Sequence, residues 1–351
     1  MKKNVFLMIL TIIAIIVLLI GNNYYNGRIS NATKTSTTSI PTQAIKSEKQ
    51  TFSPENIFIY SLNGSIDVYI SSSEINSDKY IGYHVDHSVK GFNKKLNSSN
   101  YDVWNLSGAN EFRRTSENGF MFINKIVTTG EWDLALREKG ANDFVGGVLH
   151  GDEITTDIEL YIDNEKVDPN VRVEKEAKEI KIIIESDLYR DNTITDQLEK
   201  IAVHNKTYTF DKDGLIIDQG VIFNQSLELE RSYLAMLPIL RKSDGKTGSQ
   251  ITDKITTNYD NREYDVPEEG FKIPELTNVE ANIATISGEL SGISATVEII
   301  EKSPKDAPST FTLSNAPYYN KFYFTFIEDG HRVVKDEVWS QTTKYKIDTL
   351  N

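Results

Sequence analysis

The chain has 351 residues, a formal net charge of -13, no cysteine and 39% hydrophobic residues. That composition excludes a disulfide framework and argues against nucleic acid, whose phosphates such a field repels. About 300 residues remain after the N-terminal segment, enough to bury a sizeable apolar core.

Lys2 and Lys3 precede an uncharged run from Val5 to Gly21, VFLMILTIIAIIVLLIG. As a helix it would be about 25 Å long, at the short end of what a bilayer core needs, and it lacks a small-residue cleavage site. Residues 1–21 are therefore expected to form an uncleaved transmembrane anchor, with the rest of the chain on the extracellular side of the cell membrane. Residues 22–52 are rich in Asn, Ser, Thr and Lys without periodicity. Such a segment buries too little apolar area to offset its ordering entropy and reads as a flexible stalk. Residues 53–351 are left as one folded domain.

Within it, Ile57 to Ile70 gives two alternating apolar runs around Asn63-Gly64, the pattern of a β-hairpin. Lys79 to Val89 follows as a strand carrying His84 and His87. Their spacing of three puts the rings on opposite faces of a strand, against a shared zinc ion. Phe120 to Val127 and Trp132 to Arg137 read as strands, as do Ile158 to Ile162 and Ile180 to Ile184. Tyr208–Phe210 and Leu215–Ile217 flank a turn at Asp211 to Gly214 that lacks the later acidic set of a calcium loop. Leu227 to Leu240 has apolar residues spaced by three and four, a helical alternative that Pro238 would truncate. Lys242 to Ser249 has Leu240 where a phosphate-binding loop has glycine, so nucleotide binding is discarded. Asn258 to Pro274 is a polar, turn-rich loop, and strand patterns return at Ala284–Ile299, Lys321–Ile327, Arg332–Trp339 and Lys344–Ile347. Regular strands without βα alternation predict an all-β fold, an antiparallel β-sandwich of jelly-roll or larger type.

The stretch most loaded with chemistry is Gly130 to Glu153, GEWDLALREKGANDFVGGVLHGDE. Its glycines allow a sharp turn that presents His150 at an edge, and the same pattern fits a tight turn whose histidine is merely hydrogen-bonded. Glu111 to Glu117 (EFRRTSE), Val148-Leu149-His150 and Tyr319 to Tyr323 (YNKFY) occur in the order of three strand elements of jelly-roll polysaccharide lyases, which the chain resembles, although Val148 replaces a glutamine of that pattern. The Gly-Gly-x-x-His-Gly run also resembles sugar mutarotases, whose sandwich is larger. The lyase resemblance implies that Arg113 or Arg114 neutralises a uronate carboxylate, His150 removes the C5 proton and Tyr323 protonates the leaving oxygen. Arg114, Trp132, Asp152, Glu153, His204 and Lys321 complete the expected ligand-binding set; no metal ligands are singled out, and the sequence does not specify a cofactor. The expected partner is a polysaccharide or cell-surface glycan. Two alternatives stand beside the lyase. One is a glycoside hydrolase, in which adjacent Asp152 and Glu153 cannot form the pair and a residue such as Asp143 would be needed. The other is a non-catalytic module using the rings of Trp104, Trp132 and Trp339.

Overall fold

The computed structural model describes residues 55–72, 78–90, 100–116, 119–128, 130–191, 199–244, 248–266, 273–305, 307, 310–315, 318–328 and 330–349. The expected anchor (1–21) and stalk (22–52) lie outside these residues. Among the described residues no helix is long and apolar enough to cross a membrane. The expected single-pass placement in the cell membrane is corrected on that finding and is not carried further.

The first hairpin is β1 (Ile57–Ser61) with β2 (Ser65–Ser71), turned at Asn63 and Gly64 with φ of 49° and 81°. Both central positions need positive φ, which is what Asn-Gly supplies. β3 (Lys79–Lys90), β4 (Tyr101–Ser116) and β5 (Gly119–Thr128) continue the meander. A short β6 (Ala135–Glu138) leads to a single helical turn, α1 (Gly147–His150). Next come β7 (Glu153–Ile162), β8 (Glu165–Val167), β9 (Val173–Ala177), β10 (Ile180–Tyr189), β11 (Lys200–Asp211) and β12 (Gly214–Phe223). β13 (Leu227–Leu240) is a long strand, so pairing with its neighbours overrides the helical spacing there. β14 (Lys254–Thr257), β15 (Glu263–Asp265), β16 (Thr277–Glu280), β17 (Ile283–Ser287) and β18 (Ile293–Ser303) follow. The last strands are β19 (Thr310–Asn315), β20 (Tyr319–Ile327), β21 (His331–Val333) and β22 (Val338–Thr349).

Pairing links all of these strands into one sheet, folded over as two runs packed face to face. The first run is β9-β1-β2-β3-β4-β5-β13-β20-β19-β16, with β6 and β21 also on β13. The second is β8-β7-β10-β11-β12-β22-β18-β17-β14-β15. Every pairing is antiparallel except β4 with β7, where Tyr101 meets Glu153 and the two runs join. Side chains cross between the layers: the Tyr83 ring lies 5.6 Å from Phe210 and the Phe326 ring 5.1 Å from Trp339. The expected antiparallel sandwich is thus the larger type.

Its filling is stratified along the strands. On β11 the inward residues run Ala202, His204, Lys206, Tyr208, Phe210, and on β12 Leu215, Ile217, Gln219, Val221, Phe223. The apolar ends of these rows belong to two separate hydrophobic clusters, with a polar layer between them. A buried polar layer is tolerable only if its groups satisfy one another. Here Lys206 Nζ donates to Asp133 Oδ2 (3.1 Å) and lies 3.7 Å from Glu153 Oε1, while the Tyr208 hydroxyl donates to Asp133 Oδ2 (2.7 Å). Gln219 Nε2 donates to the Leu234 carbonyl, so its Oε1 faces His204 Nε2 at 3.3 Å.

Candidate functional site

Residues 130–151 form the structural hinge of the site. Gly146 (φ 118°), Gly147 (φ 64°) and Gly151 (φ 78°) take left-handed conformations, and a Cβ on Gly146 would stand 2.7 Å from the Leu134 carbonyl. Only glycine lets the chain pass that close and then wind into the turn that ends in His150. The turn is fastened from beneath: the Gly147 N–H donates to the buried Glu153 carboxylate, and the Gly146 N–H to the Gly151 carbonyl.

His150 faces a cleft of about 170 Å³ over β6, β13 and β20, lined by Glu131, Arg137, Phe144, Arg231, Tyr233 and Tyr323 among others. Its Nε2 lies 3.2 Å from Glu131 Oε1 and its Nδ1 3.3 Å from Asp143 Oδ1. The two contacts differ in solvent access. The Glu131 side chain is 10% exposed and that of Asp143 59%, so the second is the one a ligand can replace. The second oxygen of Glu131 accepts from Lys321 Nζ. On β20, Tyr319, Lys321 and Tyr323 alternate and so share a face. Tyr323 packs its ring 4.7 Å from Tyr233, which in turn lies 5.8 Å from Phe144, giving a row of rings along one wall.

The electrostatics follow from that packing. Burial opposes ionisation of Glu131, but the hydrogen bond from His150 and the charge of Lys321 prevail and hold its carboxyl below the ordinary range. Burial pushes the Lys321 ammonium down, against the pull of Glu131. Burial, then the Glu131 charge, pushes the phenols of Tyr323 and Tyr319 up, so both keep their protons at neutral pH. The Tyr323 hydroxyl makes no hydrogen bond to any described residue. At the mouth, Arg137 pairs with Glu230, whereas no carboxylate of the described residues lies within 4.0 Å of Arg231, whose Nη1 reaches only the Tyr233 hydroxyl at 3.5 Å. A fixed anion, an imidazole, a protonated phenol and a guanidinium thus share one cleft, a set able to bind a polar ligand and to move protons on it.

Of the residues expected from the sequence, His150, Lys321 and Tyr323 are brought together. The others are elsewhere. Arg113 pairs with Asp78 (3.1 Å) on the exposed end of β4, eight residues and about 26 Å along the strand from Asn105, which touches Gly130. Arg114 is buried over the rings of Phe58, Tyr80 and Phe120 and bound to Glu176. Trp132 is wholly buried between Tyr83 and Tyr345, so it is a core ring and presents no face to a ligand. Asp152, Glu153 and His204 are buried too, the last two in the polar layer 3.4 Å apart. Trp339 is buried and Trp104 is stacked on His87 at 5.3 Å. His84 and His87 take separate carboxylates, Asp67 and Asp102, each at 2.6 Å.

Sequence reading missed Glu131, Phe144, Arg137, Arg231 and Tyr233. Glu131 sits inside the singled-out stretch, but its partner Lys321 is 190 residues away and nothing in either local sequence announces the pair. Asp143, the carboxylate that a glycoside hydrolase would need, does reach His150.

No protein-family model matches the chain, and no curated protein matches it in sequence. Among solved structures, an alpha-N-acetylgalactosaminidase from Bifidobacterium bifidum is similar at a TM-score of 0.38 and 6% identity, covering 83% of this chain and 36% of its own. A galactose mutarotase-like protein from Clostridium acetobutylicum gives 0.37 and 8%, over 81% of this chain and 96% of its own. A heparinase III gives 0.31 and 9%, over 80% and 36%. The chain therefore spans about a third of the length of the first and the last of these. Mutarotase-like and polysaccharide-lyase proteins are the two groups that the sequence itself resembles, and an overlap of this extent carries no argument about what the chain binds or does.

Proposed function

We propose that the protein cleaves a uronate-containing glycan by β-elimination in the His150 cleft. The observation that supports this reading most is the pairing of an imidazole oriented by a fixed carboxylate with a phenol that has kept its proton and has no hydrogen-bond partner among the described residues, both on one cleft. Glu131 accepts the Nε2–H and so leaves the Nδ1 lone pair for chemistry once the exposed Asp143 is displaced. Nδ1 then takes the C5 proton, the C4–O bond breaks as the C4=C5 double bond forms, and the Tyr323 hydroxyl gives its proton to the departing oxygen. Neutralising the uronate carboxylate, which makes C5–H acidic, falls to Arg231 in place of Arg113. With a net charge of -13, a polyanion needs such a local cation to approach at all.

Incubation with polyuronates followed by mass analysis tests the assignment. Elimination gives unsaturated ends whose mass lacks the water that hydrolysis adds, and Tyr323→Phe should slow their appearance about 100-fold or more. Products carrying the added water would instead indicate a hydrolase. The row Phe144, Tyr233, Tyr323 favours a second reading, a non-catalytic sugar-binding cleft. Retention of a glycan without any product would select it.

A further inference from the structure

The outer face of the second run carries a trough of about 370 Å³ unconnected with the proton-transfer groups, walled on one side by Ile183 and floored by Asn205, Thr207, Asp218, Gly220, Ser340 and Thr342 among others. Register explains the shape. Thr207, Asp218 and Thr342 stand abreast on β11, β12 and β22, and Asn205, Gly220 and Ser340 form the next row. All are short, so the face dips where its middle position has no side chain at all.

Gly220 has no structural reason to be glycine. It takes no positive φ, the pairing runs through it on both sides without a bulge, and a Cβ there would meet only the Trp339 carbonyl at 3.4 Å, an ordinary contact. Glycine weakens the interior of a strand, and where neither a bulge nor a bend demands it, close approach of a ligand remains as the reason. The lining is also under-used: the side chains of Asn205, Thr207 and Ser340 make no hydrogen bond to the described residues, while Asp218 accepts from Thr342 Oγ1 at 2.6 Å. The only cation of the lining, Lys206, has its amine turned inward to Asp133.

We propose that this trough is a second carbohydrate-binding site, and that it takes neutral sugars. Hydroxyls, an amide and one carboxylate offer both donors and acceptors to a polyol, and none of the residues lining the trough turns a cation outward toward an acidic sugar. The site belongs to strands of the second run and is independent of the chemistry proposed for the His150 cleft.

An array of neutral and acidic oligosaccharides probed with the full chain tests it. The wild type should be retained on neutral sugars, and Gly220→Thr, which fills the trough with a residue that suits a strand, should lose that signal at least about tenfold without lowering the melting temperature. Asp218→Ala, a change at an exposed position, should weaken the same spots if Gly220→Thr folds poorly. Loss of turnover in His150→Ala with neutral-sugar retention intact separates the two sites. Retention confined to acidic sugars, no retention at all, or equal retention by both trough variants would overturn the proposal.

Discussion

Glu153 is the residue on which both the core and the site lean. It is fully buried, faces Lys206 and His204 on one oxygen and takes the Gly147 N–H on the other. Burial disfavours its charge, yet the Lys206 ammonium and the His204 contact prevail and hold the carboxyl far below its ordinary value of 4.5. The sign of the linkage is fixed by that direction. A carboxyl whose folded value is depressed contributes stability that is complete above that ordinary, unfolded value and is lost as pH falls toward the folded one. Glu153→Gln should therefore cost about 3–5 kcal/mol at pH 7, because Lys206 loses one of its two counter-charges in the interior, and should flatten the acid limb of a stability curve taken by urea unfolding from pH 7 to pH 3. A variant as acid-sensitive as the wild type would show that the stabilising charge lies elsewhere. The sequence displays His150 and its glycines, since a glycine cluster before a histidine is a local signal. It does not display Glu153 as a core group: its neighbours His204 and Lys206 lie on β11, and burial of a charge is decided by partners far along the chain.

At the level of elements, turn chemistry was the most readable feature. Asn63-Gly64 gave the first hairpin because two consecutive positive φ angles are cheap only for such a pair, and Asp163-Asn164 with φ of 51° and 68° turns β7 into β8 in the same way. Gly64→Ala should lower stability by about 1–2 kcal/mol, since the left-handed conformation is strained for alanine and its Cβ would crowd that of His87 at 3.3 Å. Asn63→Gly, which keeps the conformation accessible, should cost less, and a urea midpoint equal for both variants would contradict this account of the turn. The stretch from Trp132 to Arg137 was harder. Its alternation predicts one strand, but pairing begins only at Ala135. The residues before it bend so that Glu131 enters the cleft, Trp132 the core and Asp133 the polar layer, three destinations that period-two alternation cannot encode. Arg113 and Arg114 show the same limit: a pattern places them on a strand without saying which end of it meets the site.

For the molecule as a whole, the class was legible and the arrangement was not. Many short alternating segments without cysteine require a sandwich stabilised by its own core, and that is what forms. The two-run order rests on the parallel contact of β4 with β7 and on β5 meeting β13, pairings of segments distant in sequence, for which no local turn exists. The same long-range order assembles the cleft from residues 131–150, 230–236 and Tyr323. The central claim is that His150 acts chemically in this cleft, and initial rates measured side by side for the wild type, His150→Ala and Glu131→Gln, by the ultraviolet absorbance of a new C4=C5 double bond in a polyuronate, test it most directly. His150→Ala should lower the rate by about 100- to 10,000-fold, and Glu131→Gln by less, with the melting temperature of His150→Ala within a few degrees of the wild type. A folded His150→Ala protein that forms the double bond at the wild-type rate would contradict the account.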